Sequence, residues 1–178
     1  MKARLAMWIV MIFGGIALGL YLDWLWFWNW FMEPLFHFAT LVVGAFLLRF
    51  VLLTSRNTGR LLARLGREGE DVPRMDTNKL VKTGFYAHMR HPMHLGLLFF
   101  PLAIALIIGS PGFILIVAPA EMLLMLLLIK LVEEPEAIRK FGDDYRQYMQ
   151  EVPMFNFHPA VLRSLMHDDP STLPDKSD

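Results

Sequence analysis

The chain has 178 residues, of which 55% are hydrophobic and 19% charged, with no cysteine and a formal net charge of zero. It is too apolar for an ordinary soluble domain and short enough for one unit, so a single membrane domain over 1–178 is expected. Lack of cysteine excludes disulfides, thiolate metal ligands and a cysteine nucleophile. The balanced charge gives no sign of a nucleic-acid partner, and none is expected.

A bilayer core of about 30 Å needs roughly 20 apolar residues at 1.5 Å each. Four segments approach this: Leu5 to Leu22, Leu35 to Leu53, Met93 to Ile108 and Phe113 to Val132. The first follows Lys2 and Arg4, but "GLYLDWLWFWNWF" comes next, with bulky aromatics in place of a small-residue cleavage site. It reads as a retained helix rather than a signal peptide. The third is short and needs a neighbouring helix or local thinning to cross. The connections Asp23 to Pro34 and Gly109 to Gly112 hold no lysine or arginine. The positive-inside rule therefore puts both termini and the long middle segment in the cytoplasm. Trp24, Trp26, Trp28 and Trp30 fall in the outer connection, at the level of an interfacial aromatic belt. "GSPGF" reads as a tight turn that makes the last two spans a hairpin.

From Thr54 the chain turns polar. Leu61, Leu62 and Leu65 with Arg60, Arg64 and Arg67 predict a short amphipathic helix on the membrane surface. "GREGEDVPRMD" reads as a turn-rich connector, and the tail after His167 as disordered. Beyond the fourth span, Pro135 suits the first turn of a new helix. Ile138, Phe141, Tyr145, Tyr148 and Val152 then recur at three- and four-residue intervals, one apolar face opposite Arg139, Lys140, Asp144 and Arg146. Gly142 inside this pattern marks a bend or a close approach. The expected fold is all-α: a polytopic bundle of about four transmembrane helices with a cytoplasmic amphipathic helix near the C-terminus. Its parts are 1–53 (two spans), 54–92 (connector), 93–132 (hairpin), 133–157 (cytoplasmic helix) and 158–178 (tail).

The densest chemistry is "HMRHPMHLG", His88 to Gly96. The spacing H-x-x-H-x-x-H invites a metal. On one helix, however, His88 and His91 share a face while His94 points away, and Pro92 disfavours a continuous helix, so no metal site is expected. The histidines and Arg90 could instead anchor a helix at the headgroups, or line a polar pocket under the hairpin. Glu133 and Glu134, at the exit of the fourth span, are candidates to hold a cationic, hydrogen-bonding ligand there. Glu121 is the one carboxylate deep in a span, beside Pro119.

"LVKTGFYAHMRHPMHLG" resembles the cofactor motif of the isoprenylcysteine carboxyl methyltransferase and phospholipid methyltransferase family of integral membrane methyltransferases. That motif is a Leu-Val, a Gly-x-Tyr and an Arg-His-Pro-x-Tyr-x-Gly. "EEPEAIRKFGDDYRQYMQEVP" is similar to the family's second motif, Glu-Glu followed by Phe-Gly-x-x-Tyr-x-x-Tyr and Val-Pro. The resemblance covers Lys79 to Pro153 and implies an enzyme using S-adenosyl-L-methionine from the cytoplasmic side. It implies Leu80, Val81, Tyr86, His91, Pro92, Met93 and His94 around the cofactor, with Glu133 or Glu134 holding a polar end. The family has tyrosine where this chain has His94; imidazole can also donate and accept a hydrogen bond.

A lipidic or other apolar methyl acceptor entering from the bilayer is expected. Arg90 or Lys130 would position an anionic acceptor, and His94, His88 or Glu134 would take the proton of an ammonium. The expected location is a membrane, most simply a bacterial inner membrane. Membrane sterol reductases share a similar motif pair and use NADPH, but they are longer and have more spans. A non-enzymatic scaffold binding anionic lipid through the basic loop is the other alternative.

Overall fold

The computed structural model describes residues 2–68 and 77–167, with side chains from Ala6 onward. Most of the turn-rich stretch "GREGEDVPRMD" and the whole tail after His167 lie outside the described residues. Among the described residues there are helices and no strand.

Helix α1, Lys2–Leu22, does not stop where the tryptophans begin. It passes through a π-helical turn, Asp23–Phe27, into a short α2, Trp28–Phe31. No glycine or proline stands between Asp23 and Glu33 to end it. The expected open connection thus shrinks to Met32 and Glu33, before Pro34 opens α3. Helix α3, Pro34–Leu65, is 32 residues long. The separate surface helix expected around Leu61 is its last two turns. Polar residues alone do not break a helix, and α3 runs until Gly66, whose N–H donates to the Leu62 carbonyl at 2.8 Å.

One turn of helix, α4 (Phe85–His88), precedes α5, Pro92–Ile108. At 17 residues α5 rises about 26 Å, as short as expected. The chain turns at Gly109 and Ser110, then runs as one helix from Phe113 to Phe141. Within it α6, Ala118–Leu128, is preceded by a π turn, Phe113–Val117, and followed by another, Ile129–Glu133. Each π turn lies one step ahead of a proline. Pro119 would clash with the Leu115 carbonyl and Pro135 with that of Leu131, and the wider turn relieves both clashes. Pro135 therefore lies inside a continuous helix and does not begin a new one.

The end of that helix is α7, Glu134–Phe141; α8, Asp143–Glu151, and α9, Pro159–His167, complete the described helices. Between α7 and α8, Gly142 has φ +61° and ψ −134°, a conformation closed to residues with a Cβ. Nothing lies within 4 Å of the position a Cβ would take. The bend, and not close packing, is what requires glycine here.

The chain divides into two compact units, Met1–Arg49 with Leu98–Leu127, and Phe50–Leu97 with Leu128–Asp178. In the first, Leu22, Ala105, Phe113, Val117 and Ala118 form the core. Asp23, fully buried, accepts the Gly112 N–H at 2.6 Å through Oδ1 and so caps the helix after the turn. Glu121 Oε1 lies against Gly15, while its Oε2 is buried without a hydrogen-bond partner among the described residues. The long helices present large apolar side chains outward, such as Val10, Phe13, Leu35, Phe38 and Phe46. That is the surface expected of helices facing lipid.

In the second unit, α5 lies close against α3. A Cβ on Gly96 would come within 2.6 Å of Ser55 Oγ and 3.1 Å of the Val51 carbonyl. Helix α9 is tied down by Asn57 Nδ2, which donates to the Leu165 carbonyl at 2.8 Å. Tyr145, Tyr148 and Val152 bury the face predicted for the C-terminal helix, packed with Leu80, Ile138 and Phe141.

Candidate functional site

The site lies wholly within the second unit. Gly84, at φ +60°, turns the chain into α4, and Pro92 at the first position of α5 forces the residues before it out of helix. Met89, Arg90 and His91 thus form a short link in which the N–H groups of Arg90 and His91 need partners elsewhere. The Arg90 N–H donates to the Pro153 carbonyl at 2.9 Å, and that of His91 to the Met154 carbonyl at 3.2 Å. Val-Pro after α8 ends that helix and opens the irregular segment whose carbonyls accept them. Tyr148 Oη adds a bond to the Tyr86 carbonyl at 2.5 Å.

Arg90 holds the same two segments together. Its Nε and Nη2 donate to Glu134 Oε1 at 3.1 and 2.6 Å; Nη1 donates to the carbonyls of Met149 at 3.1 Å and Val152 at 2.6 Å. Both charged side chains are over nine-tenths buried. Such a pair is held by geometry, and removing either partner leaves an uncompensated charge. Four bonds to protein make Arg90 a brace between α7, the end of α8 and the link before α5.

Beside this brace is a cavity lined by Leu62, Thr77, Lys79, Leu80, Val81, Tyr86, Arg90, His91, Met93, His94, Glu133, Ala137, Phe141, Tyr145 and Tyr148. Its polar corner is made by adjacent turns of two helices. His91 and His94 have ring centroids 5.4 Å apart. His94 Nε2 is 2.9 Å from Glu133 Oε2. His91 Nε2 lies 3.4 Å from Glu134 Oε1 and 3.5 Å from Tyr145 Oη. Bonding i→i+5 in the π turn narrows the angle between successive side chains, so neighbouring Glu133 and Glu134 both reach α5, one to each histidine.

Burial pushes the His91 imidazole below its ordinary pKa, against the upward pull of its hydrogen bond to Glu134. The ring is neutral near pH 7. Burial, reinforced by the nearby Glu134 charge, pushes Tyr145 up to about 12. Tyr86 and Tyr148 are raised by burial as well. All three tyrosines are neutral hydrogen-bonding groups at physiological pH.

Of the residues singled out in the sequence, Leu80, Val81, Tyr86, Arg90, His91, Met93, His94 and Glu133 share this cavity. Pro92 and Glu134 do not line it: Pro92 starts α5 and Glu134 is turned into the Arg90 brace. His88 and Lys130 are not among the lining residues either. The geometric expectation for the histidines is corrected. Because α5 begins at Pro92, His91 and His94 stand on the same face three residues apart, and it is His88, on α4, that leaves the group. Sequence reasoning placed Tyr145, Tyr148 and Phe141 only on a packing face. Their signal was the second motif itself, where they are the aromatic positions.

A family model described as phospholipid methyltransferase matches residues 39–144, more than half of the chain. No curated protein and no solved structure matches it.

Proposed function

This chain belongs to the phospholipid methyltransferase family, and on that premise we propose that it transfers a methyl group from S-adenosyl-L-methionine to a lipidic or other apolar acceptor at the cytoplasmic interface. The observation that carries this reading is the convergence of two distant motifs on one cavity, with a carboxylate and an imidazole at one corner and tyrosines and aliphatic side chains around the rest. That donor set fits a ligand with a flat apolar base and a cationic end. Bound there, the cofactor supplies an electrophilic methyl on a sulfonium.

The roles of the chain's own residues follow from their chemistry. Glu133 and His94 would hold the cationic end. Leu80, Val81 and Phe141 would cover the base and keep water out, which strengthens the polar contacts inside. Arg90 positions the histidine link through Glu134 and the carbonyls of Met149 and Val152. Where the acceptor is an ammonium, the His94–Glu133 pair would take its proton; Glu134, paired through Oε1 with Arg90, does not line the cavity. Sequestering an acceptor beside the methyl is the main source of rate.

The test is transfer of radiolabel from methyl-labelled S-adenosyl-L-methionine into organic-extractable product, with protein reconstituted in vesicles of total membrane lipid. Wild type is expected to label lipid, and Glu133→Gln to lower the rate by about a hundredfold. Equal labelling by the two proteins, or labelling of water-soluble material alone, would contradict the reading.

A further inference from the structure

We propose that His91, His94 and Glu133 form a binding site for a divalent transition-metal ion such as Zn2+, and that the ion and the methyl donor exclude one another. The exclusion rests on the cofactor reading above; the metal site does not.

Each of the three residues offers one donor atom, and the three atoms lie within 4.8 Å of one another. Tetrahedral zinc with bonds of about 2.0–2.2 Å needs donor atoms roughly 3.3 Å apart. His94 Nε2 and Glu133 Oε2, at 2.9 Å, already stand near that spacing. Bringing in the third donor takes a shift of roughly 1.5 Å or less, within reach of side-chain torsions. Two imidazoles and one carboxylate suit zinc, cobalt or nickel. Calcium and magnesium, which require six or more oxygens, are poorly served.

The surroundings fit a metal as well. A ligating histidine ordinarily has its ring oriented by a carboxylate behind it. His91 has Glu134 at 3.4 Å, itself clamped by Arg90, and Tyr145 Oη at 3.5 Å. All three ligands line the cavity, which leaves a fourth position for water. A bound dication would take up the carboxylate and imidazole that hold the donor's cationic end, and would repel that end. Excess metal would then switch the enzyme off reversibly.

Co2+ is the probe, titrated into the full chain in detergent without cofactor. One Co2+ per chain is expected, with the intense visible absorption of a low-coordinate site, displaced by Zn2+. His94→Gln and Glu133→Gln should each weaken it by roughly tenfold or more. His167→Gln, at the exposed end of α9, should not. Circular dichroism verifies that the variants are folded. Should neither fold, the wild-type titration decides alone: less than one Co2+ per chain, or only the weak absorption of a six-coordinate ion, overturns the site. Undiminished affinity in both folded variants overturns it equally. Saturating S-adenosylhomocysteine should weaken Co2+ binding, and unchanged affinity with the nucleoside bound overturns the exclusion. Co2+ binding without any nucleoside binding leaves the metal site standing and removes the cofactor reading.

Discussion

Arg90 ties the site together, because its four hydrogen bonds join the link before α5 to α7 and to the end of α8, 44 to 62 residues away in sequence. Arg90→Ala strands Glu134 as a buried unpaired charge and should cost about 3–5 kcal/mol, read from thermal unfolding in detergent. Arg90→Lys should rescue little of this, since an ammonium cannot reproduce the planar fork that reaches a carboxylate and two carbonyls together. A lysine variant as stable as wild type would show that charge alone is what the site needs.

His91 gives the site a pH dependence of definite sign. Its folded pKa is depressed mainly by burial, with Glu134, Glu133, His94 and Tyr145 facing it and Arg90 behind Glu134. The unfolded chain therefore takes up the proton first, near pH 6.5, and the folded chain only at lower pH. Stability contributed by neutral His91 is full above about pH 6.5 and is lost as pH falls through the folded value. The unfolding midpoint should be level from about pH 7 to 8 and decline below, with a shallower decline in His91→Gln. Identical slopes in the two proteins would assign the decline to other groups. The sequence could show that imidazoles were dense here but not which would meet. That was decided by Pro92, which resets the helix so that His91 and His94 pair. It was also decided by a π turn, invisible to periodicity, that aims Glu133 and Glu134 at different partners.

Among the elements, α7, Gly142 and α8 make one bent arm, and the bend brings Phe141 and Tyr145 to the same cavity. Gly142→Ala must be strained at φ +61° and should cost on the order of 1–3 kcal/mol. The loss should appear both in unfolding and in ligand affinity, whereas an effect on unfolding alone would mean that the arm's angle does not matter to the site. The bend was legible in the sequence because glycine interrupts an otherwise unbroken apolar face. The reach of α3 was not, since the change to polar residues from Thr54, with Arg60, Arg64 and Arg67, reads as a boundary. Change in polarity marks where a helix leaves an apolar environment, whereas breakers mark where it ends, and Gly66 is the first effective one. That extension matters because it delivers Leu62 to the cavity.

For the whole molecule, family membership and the long apolar helices make this an integral membrane methyltransferase. The orientation expected from the positive-inside rule places both termini and the cavity in the cytoplasm, with the tryptophan-rich turn outside. A chain without cysteine is ready for labelling by single cysteines. Asn29→Cys and Lys82→Cys, at exposed positions, should react with a membrane-impermeant maleimide from opposite sides of sealed vesicles. Labelling of both from one side would contradict the orientation.

In the proposed function the cavity holds the methyl donor through Glu133. Calorimetric titration of the detergent-purified protein with S-adenosylhomocysteine, beside Glu133→Gln and with NADPH as the competing ligand, tests it most directly. Saturable binding of the nucleoside, weakened by roughly tenfold in the variant, is expected, and none of NADPH. A folded wild-type protein that binds NADPH, or that leaves S-adenosylhomocysteine unbound, would contradict it.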